Sequence, residues 1–271
     1  MNIYEESLLA HRNARGKLSM VSKVPLQSRH DMSVYYSPGV AAVSERLAKH
    51  PAETSLYTNT HNCVAVVSDG TSVLGLGNIG PEGALPVMEG KAILFKHFAD
   101  IDAVPIVLNT QDPDEIINTV VAIAPSFGGI NLEDIAAPQC FYIEDELKKR
   151  LSIPVMHDDQ HGTAVVVLAG LINACRVTHR ELSSSKIVLV GAGAAGVAIA
   201  KLLTKYASPT ILAVDSKGVI TANRTDLNPE KQLLASYSQD DGSKTLKDAI
   251  QGADIFIGVS RGGLLSKDMV H

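Results

Sequence analysis

An eighteen-residue run beginning at Lys186, KIVLVGAGAAGVAIAKLL, leaves few folds open to this chain. Residues 187–190 have the length and composition of a buried strand, and they lead directly into Gly191, Gly193 and Gly196 in GxGxxG spacing and then into an Ala-rich helical segment. Each glycine has a separate reason: Gly191 permits a tight turn, Gly193 lets backbone approach a pyrophosphate, and Gly196 lets helix and strand pack closely. The first helical amides, at Ala194 and Ala195, are donors for the anion. The next apolar run, 211–214, ends at Asp215, a position from which a carboxylate accepts hydrogen bonds from an adenosine ribose. Asp215 favours NAD, whereas Ser216 and Lys217 at the same strand end suit the 2′-phosphate of NADP. A third strand is expected at 255–259, so only three strands of a doubly wound sheet can be read after Ser185.

Upstream, apolar runs at 64–67 and 103–108 read as strands, with a helix over 113–124. Phe141, Tyr142 and Ile143 read as a strand leading into the helix EDELKKR, and 153–156 as another strand. Such strand-helix alternation implies a mainly parallel sheet. Residues 162–175 are apolar on every side, which predicts a helix buried between two layers or domains. The organisation expected is an N-terminal α/β catalytic and metal-binding domain over 1–162. A Rossmann-type NAD(P)-binding domain over 163–271 follows, incomplete at its C-terminus.

Composition narrows the function classes. With 271 residues, 45% hydrophobic and 20% charged, the chain has material for two ordinary cores. A formal charge of −5 offers no broad attraction to nucleic acid or anionic membranes. Glu5 and Glu6 stand where a secretory signal would be basic and then apolar, and the apolar run 164–172 is about half a membrane span. A cytoplasmic protein is expected. Cys63, Cys140 and Cys175 are few and widely spaced, which suits reduced, packed thiols.

Two acidic pairs lie one strand-helix step apart, Glu144-Asp145 and Asp158-Asp159, each expected at a strand's C-terminal end, where ligands collect. Oxygen donors converging there suit Mg²⁺ or Mn²⁺. For the first pair a plainer reading competes, because Glu144, Asp145 and Glu146 can each pair with a cation four residues on. Asp158 and Asp159, between His157 and His161, precede an apolar helix in which unpaired carboxylates would be costly. Tyr36 lies in a turn set by Pro38 and Gly39. Lys91 opens an apolar stretch, where a helix N-terminus and desolvation would favour its neutral, basic form.

YYSPGVA at 35–41, SDGTSVLGLGNIGPEGALPVMEGKA at 68–92, YIEDEL at 142–147, HDDQHGTA at 157–164 and VGAGAAG at 190–196 together resemble the malic enzymes of the small bacterial type. The resemblance implies oxidative decarboxylation of L-malate to pyruvate and CO₂ with reduction of NAD(P)⁺. It implies that Tyr36 protonates the enol and that Lys91 takes the malate hydroxyl proton. Glu144, Asp145 and Asp159 would bind the metal, Asp158 would tune Lys91, and Gly191, Gly193, Ala194, Ala195, Gly196 and Asp215 would hold the dinucleotide, NAD or else NADP. It also implies a homodimer or larger assembly. Ser72 departs from members that carry an arginine there to grip substrate carboxylate, and family chains usually continue beyond residue 271. Two other readings compete: a metal-independent enzyme like the amino-acid dehydrogenases, and a truncated dinucleotide-binding chain without turnover.

Overall fold

The computed structural model describes residues 2–239 and 242–270. They divide into two compact units, one formed by the chain up to Ile135 with Ile143–Met156, the other by Ala136–Tyr142 and the chain from His157 onward. The change after Met156 falls six residues before the border expected at 162.

The first unit begins with helices α1 (Ile3–Ala14), α2 (Arg29–Tyr35), α3 (Val40–Lys49) and α4 (Thr54–Tyr57), none of which contains a buried residue. Then come β1 (Cys63–Ser68), α5 (Gly80–Ala99), β2 (Asp102–Val107), α6 (Pro113–Ile123), β3 (Gly129–Leu132), α7 (Gln139–Arg150) and β4 (Val155–His157). The strands form one sheet in the order β2-β1-β3-β4, and β1 runs parallel to both neighbours. Strands at 64–67 and 103–108 and the helix at 113–124 are therefore present within a residue or two.

One strand expected from sequence is not. Phe141, Tyr142 and Ile143 lie inside α7, because Cys140, Ile143 and Leu147 recur at helical spacing and all three are fully buried. The strand in this part of the sheet is β3 instead, a run of Gly, Ile, Asn and Leu in which every residue is buried.

The second unit contains α8 (Asp158–Thr178), β5 (Lys186–Val190), α9 (Ala194–Tyr206), β6 (Thr210–Asp215) and β7 (Gly218–Val219), then α10 (Pro229–Tyr237), α11 (Leu246–Ala249), β8 (Ile255–Gly258) and α12 (Lys267–Val270). Its sheet has the order β7-β6-β5-β8, with β5 parallel to β6 and β8, and β7 antiparallel to β6. Alternate strand residues serve opposite faces. Ile187, Leu189, Ile211 and Ala213 pack with α9 and α10 residues, while Val188, Val190, Leu212 and Val214 pack with Val219 and Ala249. Burial on both faces explains why these strands read as continuous apolar runs.

The helix expected to be buried throughout is α8, and here the expectation is corrected. It packs against α9, yet only Gln160, Ala164 and Cys175 are buried, and Val165, Val166 and Val177 are exposed. By length and composition α8 is also long and apolar enough to cross a membrane. The three cysteines are free and buried, as their spacing suggested.

Candidate active site

The acids that β3 delivers are Glu133 and Asp134, at the C-terminal end of the strand. Both are buried, and their carboxylate oxygens come within 4.8 Å of each other. Lys91 Nζ lies 3.0 Å from Glu133 Oε1, and Asn131 donates to Oε2 at 2.8 Å. Asp134 has a left-handed backbone, φ 55°, uncommon for a residue with a side chain and often found where a site fixes the chain. The backbone N–H of Ser72 donates to the Asp134 carbonyl at 2.9 Å, tying the loop after β1 to the acids after β3. Two buried carboxylates beside a lysine can bind a hard cation and handle a proton in one place.

Sequence reasoning looked instead to Glu144 and Asp145, eleven residues further on. Glu144 and Asp145 stand within α7, not at a strand end, and Glu144 is buried with Lys148 at 2.8 Å, one helical turn on. Glu146 pairs with Lys149 at 2.8 Å and Arg150 at 3.1 Å. For Glu144 and Glu146 the plainer reading, a cation four residues on, is the observed one. Glu133 and Asp134 were missed because β3 was; the available signal was the Gly128-Gly129 punctuation before a short run ending in acids.

Lys91 also differs from expectation. It is eleven residues into α5, about three turns from the N-terminus, so the positive helix end does not act on it. Its side chain is 22% exposed, and Glu133 is a charged neighbour at 3.0 Å. Tyr36 caps the C-terminus of α2, is 71% exposed, and its hydroxyl makes no hydrogen bond among the described residues. In the second unit, Asp158 and Asp159 open α8 immediately after β4, the sheet neighbour of β3. His157 is fully buried, with Nε2 3.3 Å from Asp159 Oδ2 and Nδ1 3.2 Å from the Gln160 amide.

The glycine turn has the form its sequence demands. β5 has β6 on one side and β8 on the other, which makes the end of β5 a topological switch point. Gly191 has φ 124°, and a Cβ there would come 2.8 Å from the Val259 carbonyl oxygen. A Cβ on Gly196 would come 1.8 Å from the Gly191 oxygen, whereas nothing lies within 4 Å of one on Gly193. Only Gly193, the N-cap of α9, faces open space, as a pyrophosphate approaching the amides of Ala194 and Ala195 requires. Asp215 ends β6 as expected, but it is enclosed: Arg224 reaches its two oxygens at 2.9 and 3.1 Å and Lys231 reaches it at 2.7 Å. Burial raises the Asp215 carboxyl, but these hydrogen bonds outweigh it and bring the group to about 2.

The family model of the malic enzyme N-terminal domain matches residues 15–148, and that of the malic enzyme NAD binding domain matches residues 160–271. A bifunctional malic/malolactic enzyme of Bacillus subtilis is 53% identical over 273 residues, taking in 100% of this chain and 67% of that protein. An NAD-dependent malic enzyme of Geobacillus stearothermophilus is 52% identical, over 100% of this chain and 56% of that protein. The crystal structure of an NAD-dependent malic enzyme from Thermotoga maritima superposes with a TM-score of 0.94 at 48% identity, covering 97% of this chain and 71% of that one. The chain spans between about a third and two thirds of the length of the curated relatives it matches.

Proposed function

Because this chain belongs to the malic enzyme family, we propose that it oxidises L-malate at C2 and releases CO₂, forming pyruvate as NAD(P)⁺ is reduced. The observation that carries this reading is Lys91 held 3.0 Å from the buried Glu133 beside Asp134, in a chain that also carries a dinucleotide turn. We assign Mg²⁺ or Mn²⁺ to the buried pair Glu133 and Asp134, hard oxygen donors whose type and charge fit such an ion. When bound, the ion supplies the Lewis acidity that polarises a C2 oxygen.

The remaining steps fall to side chains. Lys91 Nζ takes the C2 hydroxyl proton, and the Glu133 carboxylate stabilises the ammonium that results. The backbone amides of Ala194 and Ala195 hold the dinucleotide pyrophosphate, so that the hydride has an acceptor. Tyr36 donates a proton to C3 of the enol, and its exposed hydroxyl is open to a substrate.

We further infer a cytoplasmic homodimer or larger homo-oligomer. Ile3, Leu8 and Met20 are 69%, 75% and 92% exposed on a segment with no buried residue, apolar surface that association would cover. Free, buried cysteines fit a reducing compartment.

The test is nicotinamide absorbance on mixing the chain with L-malate, Mn²⁺ and either dinucleotide, with pyruvate measured and a chelator control. Chelator-sensitive reduction with pyruvate formed is expected. Reduction that survives chelation would favour the metal-independent dehydrogenase reading instead, and dinucleotide binding without turnover the truncated one.

A further inference from the structure

Asn131 stands in β3 between two buried apolar residues, Ile130 and Leu132, and is itself only 3% exposed. Residues two apart in a strand share a face, so Asn131 and Glu133 stand side by side. Pairing with β1 fixes that relation: Asn131 is in register with Val66, and the Glu133 backbone N–H donates to the Val67 carbonyl at 2.9 Å. Asn131 Nδ2 then donates to Glu133 Oε2 at 2.8 Å. Turned over, the carboxamide would set its own oxygen against a carboxylate, acceptor to acceptor, so chemistry decides which end faces Glu133.

The other end of the carboxamide does no comparable work. Asn131 Oδ1 is buried and has no hydrogen-bond partner among the described residues. A buried acceptor left unpaired costs stability, and an apolar side chain like those of Ile130 and Leu132 would avoid that cost. The fold alone therefore gives no reason for an amide at this position. Its hold on Glu133 does. Lys91 Nζ lies 3.0 Å from Oε1, so each carboxylate oxygen meets a different donor, one from α5 and one from the acid's own strand. A neutral donor on Oε2 fixes the carboxylate without cancelling its charge, as a second cation would.

We propose that Asn131 is a positioning residue for this site: by holding Oε2 it stops the Glu133 carboxylate from turning, which keeps Oε1 on Lys91 and the group set to take a divalent ion with Asp134. The inference rests on the assignment of Glu133 and Asp134 to the ion and goes beyond it, since Asn131 acts only through Glu133. Hydrogen-bond partners of ligating carboxylates orient them, and losing one weakens metal affinity by about tenfold to a hundredfold.

The test is a double-mutant cycle on Mn²⁺ affinity, read from the electron paramagnetic resonance signal of the free ion, with the urea midpoint of each variant measured alongside. Asn131→Leu, close in shape and without polar atoms, is expected to weaken Mn²⁺ binding at least about tenfold while its urea midpoint equals or exceeds that of wild type. In a Glu133→Ala background, itself weaker for Mn²⁺, the same replacement should change affinity by less than about twofold, because the group that Asn131 holds is gone. A purely structural amide would give the opposite pattern, a lowered midpoint with Mn²⁺ affinity kept, and that result would overturn the proposal. Equal losses of affinity in the two backgrounds would overturn it as well, since Asn131 would then act by a route other than Glu133. If Asn131→Leu does not fold, Asn131→Ala is read against the same two backgrounds. Wild type that bound no Mn²⁺ would remove the ion assignment and the proposal together, whereas wild-type binding unchanged by Asn131→Leu would remove the proposal alone.

Discussion

The dipeptide Glu-Asp occurs twice within thirteen residues, at 133–134 and at 144–145, and the two copies live in different physical surroundings. The first follows β3, where the chain stops pairing and its side chains gather at a sheet edge; Glu133 meets Lys91, from a helix more than forty residues away in sequence. The second lies inside α7, where Glu144 meets Lys148 from its own next turn. A strand end assembles groups that are distant in sequence, whereas a helix face pairs near neighbours. Two identical dipeptides therefore give a buried cluster with a distant lysine in one case and a helix brace in the other.

The sharpest way to break that contrast is to remove each acid's cation. Lys91→Met is predicted to lower malate oxidation by about a thousandfold, the scale of a lost general base, with dinucleotide affinity unchanged. Lys148→Met is predicted to keep turnover and to lose less than about 1 kcal/mol of stability, because Lys148 is 42% exposed. Comparable activity losses in the two variants would erase the distinction.

Asp215, a third acid at a strand end, extends the comparison to the second unit. Its carboxyl is held at about 2, below the ordinary 3.8, so its stabilising contribution is complete above about pH 4 and is lost as pH falls through about 2. That contribution is on the order of 2 kcal/mol. Urea unfolding across this range should show a smaller acid dependence in Asp215→Asn than in wild type; equal slopes would mean that the cluster does not hold the carboxyl down.

The acid of the helix brace also carries only a small effect. Glu144→Gln should cost about 1 kcal/mol in urea unfolding, the scale of one weakened buried hydrogen bond, with Mn²⁺ affinity within about twofold of wild type. A tenfold loss of Mn²⁺ affinity would move Glu144 into the site.

How much of this could be read in the sequence depended on how local each cause was. The glycine turn was legible in full because strand, turn and helix succeed one another within eighteen residues and each glycine answers a nearby steric demand. The strands at β1 and β2 were legible as apolar runs. β3 was not, since Gly129 and Asn131 make half of it poor strand formers. Phe141, Tyr142 and Ile143 misled because a short apolar run does not distinguish a strand from the buried face of a helix. Helical spacing of Cys140, Ile143 and Leu147 was the signal that decided it. Arg224 and Lys231 lie nine and sixteen residues beyond Asp215, with no periodicity linking them to it. Only the folded chain brings them there.

The most direct test of which Glu-Asp pair forms the site is Mn²⁺ binding, followed by the electron paramagnetic resonance signal of the free ion, in wild type, Asp134→Asn and Asp145→Asn. Asp134→Asn is predicted to weaken binding by at least about tenfold, as loss of a charged ligand should, while Asp145→Asn binds like wild type. If Asp145→Asn lost the ion and Asp134→Asn kept it, the metal would sit on the helix and the strand-end site would be wrong.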